Sequence, residues 1–165
     1  MKNWPTRPTT DFAREALFNV LSNTFDFSTI KMLDLFGGTG AHTLEAVSRG
    51  CMDIVYVEQY QKCHQFLKSI IKDWEIAAEV DCVRSECKSF LLKTSRKFDY
   101  IFADPPYQQK KWSILPSLIF ELQLLKDEGW LVVEHMNHTD FSSDLNFVQQ
   151  RNYGQTRFSF FQNKS

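Results

Sequence analysis

A short apolar run from Ile30 to Phe36 breaks off at Gly37-Gly38-Thr39-Gly40, and a helix-like stretch from Ala41 to Arg49 follows at once, closed by Gly50. Strand, glycine turn and helix in that order leave few folds open. The alternation then repeats. Asp53 to Glu58 reads as a second strand, Gln61 to Ala77 as a helix, Glu79 to Arg84 as a third strand, and Phe90 to Leu92 as a short helix. Phe98 to Ala103 is a strand that is apolar apart from Asp99, Trp112 to Leu125 is helical, and Gly129 to His135 is another buried strand. Parallel strands need a crossover, and its helix covers the sheet, so this order predicts a mostly parallel sheet with helices on both faces. The ending differs. Phe147 to Tyr153, a turn at Gly154 and Thr156 to Phe161 read as two adjacent strands, so the last is expected to run antiparallel at or near the sheet edge. Ahead of the first strand, Arg7-Pro8-Thr9-Thr10-Asp11 reads as an extended arm, and Ala13, Ala16, Leu17, Val20 and Leu21 then share one helix face.

Composition bounds what such a chain does. Its 165 residues, with no repeat, low-complexity tract or linker, are expected to form one domain spanning 1–165, with 1–11 as an N-terminal arm. Nineteen Lys and Arg against twenty Asp and Glu leave a net charge of −1, so any nucleic acid has to be held by a local patch. No window approaches the roughly 18 uninterrupted apolar residues of a spanning helix, and the start Met1-Lys2-Asn3-Trp4-Pro5 lacks the apolar run of a signal peptide. A cytoplasmic protein without a membrane partner is expected. Cys51, Cys63, Cys82 and Cys87 form no CxxC and have no His at zinc-finger spacing, so they read as reduced thiols, with no metal.

Ligands of an open parallel sheet sit beyond the carboxyl ends of its strands, where the winding reverses. There, Gly38 and Gly40 let the backbone approach a ligand, and the helix from Ala41 aims its free amides at a negative group. Glu58 ends the second strand, placed to accept from both hydroxyls of a ribose. Together they point to an adenosine-containing cofactor. They do not separate a dinucleotide from S-adenosylmethionine, although Thr43 stands where the dinucleotide fingerprint has its third glycine. Glu86, just after the third strand, is a candidate for the adenine amino group or a surface acid. Asp104-Pro105-Pro106-Tyr107 follows the strand Phe98 to Ala103 directly. Its prolines stiffen the backbone and donate no amide hydrogens, so the Asp104 carboxylate and the Pro105 carbonyl are free to accept both hydrogens of an exocyclic amine. Tyr107 would lie on the face of the base, a contact worth about 1–3 kcal/mol where bases stack.

On these segments the chain resembles class I S-adenosylmethionine-dependent methyltransferases, and specifically the bacterial 16S ribosomal RNA guanine-N2 methyltransferases of the RsmD type. The resemblance rests on Arg7 to Asp11 with Arg14-Glu15-Ala16-Leu17-Phe18-Asn19, on Asp34-Leu35-Phe36-Gly37-Gly38-Thr39-Gly40-Ala41, on Leu44-Glu45-Ala46 with Ser48-Arg49-Gly50, and on Asp104 to Tyr107, with Glu134-His135 adding weight. It implies a Rossmann-like, three-layer α/β/α fold with a seven-stranded sheet and an antiparallel last strand. It further implies S-adenosylmethionine held at Asp34, Phe36, Gly37, Gly38, Thr39, Gly40, Glu58, Gln59, Glu86, Cys87 and Asp104. Amine selection falls to Asp104, Pro105, Pro106 and Tyr107. Arg7, Thr10, Arg14, Tyr107 and His135 are then candidates for substrate or RNA contact, with a bond to a neighbouring carbonyl as the alternative for His135; Arg7, Arg14, Arg49, Lys110 and Lys111 are the charges placed nearest a phosphate backbone, with a solvated loop as the alternative for the two lysines.

The implied partner is 16S ribosomal RNA or the assembling 30S subunit. The chain departs from the type in three ways: it begins just before the Arg-Pro-Thr segment, without the basic hairpin members usually carry there; it has Gly37 where alanine is more frequent, which is expected not to impair the cofactor; and it has Glu86 where Asp is usual. Adenine-N6 in DNA is the alternative target, since the corner suits any planar exocyclic amine, and a non-catalytic cofactor-binding module is the alternative class.

Overall fold

The computed structural model describes residues 9–163. Seven strands, β1 (Lys31–Leu35), β2 (Asp53–Glu58), β3 (Val80–Arg84), β4 (Phe98–Ala103), β5 (Leu125–His135), β6 (Phe147–Tyr153) and β7 (Thr156–Gln162), form one sheet in the order β3-β2-β1-β4-β5-β7-β6. The first five are parallel, and β7 runs antiparallel between β5 and β6. The last strand is therefore one in from the edge, which β6 forms.

Side chains alternate between the two faces along the strands, apart from a shift between Phe98 and Tyr100 in β4, and the helices follow. Met32, Ile54, Tyr56, Tyr100, Phe102 and Phe158 face α1 (Asp11–Leu21), α2 (Ala41–Ser48) and α3 (Gln61–Asp73), while Leu33, Val55, Ile101, Leu131 and Phe161 face α4 (Cys87–Leu91) and α5 (Leu115–Glu121). These are the three layers of a Rossmann-like class I methyltransferase fold. At the amino ends of the strands, Asp99 accepts from the Lys31 amide at 2.8 Å and the Lys126 ammonium at 2.6 Å, which explains an acid in an otherwise apolar strand. No described helix is long and apolar enough to cross a membrane.

Several boundaries differ from the sequence pattern. The helix expected to reach Ala77 stops at Asp73, because Glu75 turns left-handed (φ 57°) and the Ile76 amide reaches back to the Ile71 carbonyl at 3.0 Å. The stretch from Trp112 to Leu125 divides into a 3₁₀ turn, Lys110–Ile114, and α5, which ends when Gln123 turns left-handed (φ 53°) and the Leu124 amide bonds the Ile119 carbonyl at 3.2 Å. Leu125 opens β5 instead, four residues ahead of Gly129, with a register irregularity between its pairs with Phe98 and Tyr100. α4 runs from Cys87 to Leu91, not from Phe90 to Leu92, because the Glu86 carboxylate caps it by accepting from the Ser89 amide at 2.8 Å.

Candidate active site

β1 lies between β2 and β4, so the winding reverses at its carboxyl end, where a crevice opens. Phe36 leaves β1 left-handed (φ 59°), and the turn closes through Gly40 N–H to Gly37 O at 2.8 Å. Gly40 is left-handed (φ 79°), and a Cβ there would stand 2.5 Å from Leu67 Cδ1, so only glycine fits beneath α3. From below, the Tyr56 hydroxyl donates to the Gly38 carbonyl at 2.6 Å. Glu58 is buried, with its two oxygens accepting from the Gly38 amide at 2.9 Å and the Tyr60 amide at 2.8 Å. Its first task is thus to hold the turn, and each oxygen keeps a second lone pair for a ligand hydroxyl.

Asp34 is buried at the foot of this crevice. Its Oδ2 accepts from the Thr43 hydroxyl at 2.6 Å, whereas Oδ1 has no partner among the described residues. Burial pushes its carboxyl up to about 7, against the opposing Thr43 hydrogen bond. A cavity of about 40 Å³ opens between Asp34, Gly38, Ala41, His42 and Asp104. His42 is a wall of this cavity: its ring stacks on Phe102 with centroids 3.6 Å apart, bonds the Tyr100 hydroxyl at 2.9 Å, and is kept neutral by burial. A second cavity, about 80 Å³, lies over Phe36, Glu58, Gln59, Glu86, Cys87 and Trp112.

Leu35 pairs with Ala103, so Asp104 emerges beside the glycine turn, its amide 3.4 Å from the Leu35 carbonyl. Pro106 spends its carbonyl on the Gln109 amide at 3.1 Å. On the far side of this corner a cavity of about 270 Å³ is lined by Pro105, Tyr107, Trp112, Glu134, His138 and Phe141. The Tyr107 hydroxyl donates to Glu134 Oε1 at 2.9 Å, and the Thr9 hydroxyl donates to Glu134 Oε2. Burial, then the neighbouring Glu134 charge, hold the Asp104 carboxyl well above the usual carboxylate range, and a hydrogen bond with Tyr107 opposes them. Among the described residues no group of three His, Cys, Asp or Glu side chains is arranged to hold a metal ion.

Residues 1–162 match the family described as Conserved hypothetical protein 95. The chain is 33% identical to a candidate rRNA methyltransferase, YlbH of Bacillus subtilis, over 96% of this chain and 89% of that protein. It is 33% identical to ribosomal RNA small subunit methyltransferase D of Escherichia coli, over 81% of this chain and 63% of the enzyme's own length. A solved structure of a candidate methyltransferase of Escherichia coli, yhhF, superposes with a TM-score of 0.83 at 28% identity, covering 96% of this chain and 87% of that one. The chain belongs to the RsmD-type methyltransferase family. It is an enzyme of methyl transfer.

Within this RsmD-type chain the structure brings Asp34, Phe36, Gly37, Gly38, Thr39, Glu58, Gln59, Glu86, Cys87 and Asp104 onto two adjoining cavities. Glu86, a candidate for the adenine amino group, has one oxygen committed to capping α4. Tyr107, expected on a base face, has its hydroxyl tethered to Glu134. His135 lines the large cavity, but its ring bonds the Met136 carbonyl at 2.9 Å and Ser159 Oγ at 2.7 Å. Thr10 caps α1 by accepting from the Ala13 amide, and Arg14 pairs with Asp11 at 2.7 Å.

Arg49 is not placed for a phosphate backbone. It pairs with Glu45 at 3.0 Å, donates to Ser22 and Asn19, and lies 5.3 Å over the Phe18 ring, clamping α2 to α1. Lys110 lines the large cavity, and Lys111 rests 4.9 Å over Trp112. Arg7 lies outside the described residues. Glu134 carried no assigned role in the sequence; its place beside Asp104 on the neighbouring strand was the available signal.

Proposed function

We propose that the chain transfers a methyl group from S-adenosylmethionine to the exocyclic N2 amine of a guanine in 16S ribosomal RNA, free or within the assembling 30S subunit. In this reading residues 1–165 act as a single methyltransferase domain. The observation that carries it is the position of Asp104, between the cavity it shares with Asp34 and the larger one that begins at Pro105.

The residues fit the cofactor. A buried carboxylate oxygen of Asp34 without a partner among the described residues calls for a donor, and the ammonium of an amino-acid-bearing nucleoside supplies one that also favours the ionised carboxylate. The amides at the start of α2, whose N-cap Gly40 has no side chain to cap them, suit the cofactor's carboxylate. Glu58, backed by two amides, suits ribose hydroxyls, and Gln59, Glu86 and Cys87 border the space for the adenine. Bound there, the cofactor supplies a sulfonium methyl as electrophile.

The chain's own contribution is orientation of the amine. Asp104 and the Pro105 carbonyl accept its two hydrogens, which leaves the nitrogen lone pair directed at the cofactor side. With its proton affinity raised by burial and by Glu134, Asp104 is also suited to receive the proton the amine loses. The test offers labelled cofactor to 30S subunits, naked 16S RNA and DNA from cells lacking the protein. Label is expected on RNA or subunits, and Asp104→Ala is expected to lower transfer by orders of magnitude while S-adenosylhomocysteine still binds. Label on DNA alone, or an unchanged rate in Asp104→Ala, overturns the proposal.

A further inference from the structure

We propose that Thr43 is a positioning residue for the cofactor: its hydroxyl pins one oxygen of Asp34, so that the other is the one presented to the cofactor's ammonium. This rests on the function proposed above and assigns how this chain sets the acid at the foot of its crevice.

Thr43 stands where the dinucleotide fingerprint carries its third glycine, the residue that lets the first helix close on its strand. Here a β-branched side chain fills that contact and is fully buried. Valine has the same shape, so filling the space does not by itself call for a hydroxyl. A threonine inside a helix often returns its hydroxyl to the carbonyl four residues back. This one instead donates across the layer, from α2 to the end of β1, at 2.6 Å. Asp34 lies two residues beyond Met32 on β1 and so shares the sheet face that α2 covers.

A carboxylate only 1% exposed is costly to keep charged unless donors meet it. Among the described residues, the donors that meet Asp34 are the Thr43 hydroxyl and amide. The other titratable groups around it do not replace them. Glu58 on β2 opposes its charge, as do Tyr56, Tyr100 and Asp104 wherever they ionise, and His42 on α2 is kept neutral by burial, with Arg14 of α1 acting on that ring. The Thr43 hydroxyl therefore favours the ionised acid against its burial. With Oδ2 taken up, Oδ1 is left as the acceptor for a ligand.

The experiment is calorimetry of the full chain with S-adenosylhomocysteine across the neutral range, comparing the wild type with Thr43→Val and Thr43→Ser. Without the hydroxyl, Asp34 keeps its proton to higher pH and the ligand has to expel it. The Kd of Thr43→Val is expected to stand about tenfold above the wild-type value near about pH 6 and to narrow to about twofold near about pH 8. Thr43→Ser keeps the donor while giving up the methyl group, and is expected to follow the wild-type profile. Superimposable profiles for Thr43→Val and the wild type overturn the inference. So does a loss of equal size at every pH, which a purely structural role would give, and so does a Thr43→Ser protein that behaves like Thr43→Val. If Thr43→Val does not fold, Thr43→Ala read against Thr43→Ser tests the same hydroxyl by the same criteria. A wild-type chain that binds no S-adenosylhomocysteine at any pH would instead overturn the function proposed above, and this inference with it.

Discussion

Gly37→Ala probes how tightly the glycine turn is fitted to the strand beneath it. A Cβ at Gly37 would lie 3.2 Å from Tyr56 Cζ, with two other ring carbons closer still, well inside van der Waals contact. Tyr56 is fully buried and its hydroxyl holds the Gly38 carbonyl at 2.6 Å, so the ring cannot swing aside without breaking that bond. Overpacking of this kind costs about 1–3 kcal/mol. For a chain of this length each kcal/mol lowers Tm by about 2–4 °C. Chemical denaturation of the wild type, Gly37→Ala, Tyr56→Leu and the double variant closes a cycle. Tyr56→Leu is expected to cost less in the alanine background than in the native one, with a coupling of about 0.5–3 kcal/mol. A Gly37→Ala protein as stable as the wild type, or two changes that simply add, would refute the steric reasoning. The sequence-based expectation that glycine and alanine are interchangeable here concerned the cofactor; the structure adds that alanine requires a smaller partner than Tyr56.

Cofactor affinity should depend on pH through Asp34. The free chain holds a proton there below about 7, and a bound ammonium favours the ionised form, so binding expels the proton and acid opposes it. Calorimetry with S-adenosylhomocysteine should show affinity rising by up to about tenfold per pH unit toward neutrality and then levelling, with that component absent in Asp34→Asn; equal slopes in both proteins would exclude Asp34. Saturating S-adenosylhomocysteine, at about 100 times its Kd, should stabilise the native state by about 2.7 kcal/mol in a thermal melt, whereas NAD should not shift Tm. Arg49→Met should cost about 1 kcal/mol by releasing Glu45 and the Phe18 ring, with kcat unchanged; a loss of RNA affinity at unchanged stability would return Arg49 to the phosphate backbone.

Much of the architecture was legible because it is written in local signals. Apolar runs of strand length, amphipathic spacing between them, and Gly37 to Gly40 set the order of layers without any long-range contact. Asp34, Glu58 and Asp104 share one crevice because each stands at or beside the carboxyl end of a strand of the same sheet, and strand ends are readable. The stops of α3 and α5 were not, because Glu75 and Gln123 take left-handed conformations that their residue types do not announce. Partner choice was hidden for the same physical reason. Arg49 finds α1 rather than a ligand, Glu86 finds its own helix terminus, and Glu134 gathers Thr9 and Tyr107 from segments far apart in the chain.

The most direct measurement digests the labelled RNA product to nucleosides and identifies the methylated position. N2-methylguanosine is the predicted product, absent when Asp104→Ala replaces the wild type. N6-methyladenosine, or N2-methylguanosine formed equally well by the variant, would contradict the assignment of the Asp104 corner to guanine amine transfer.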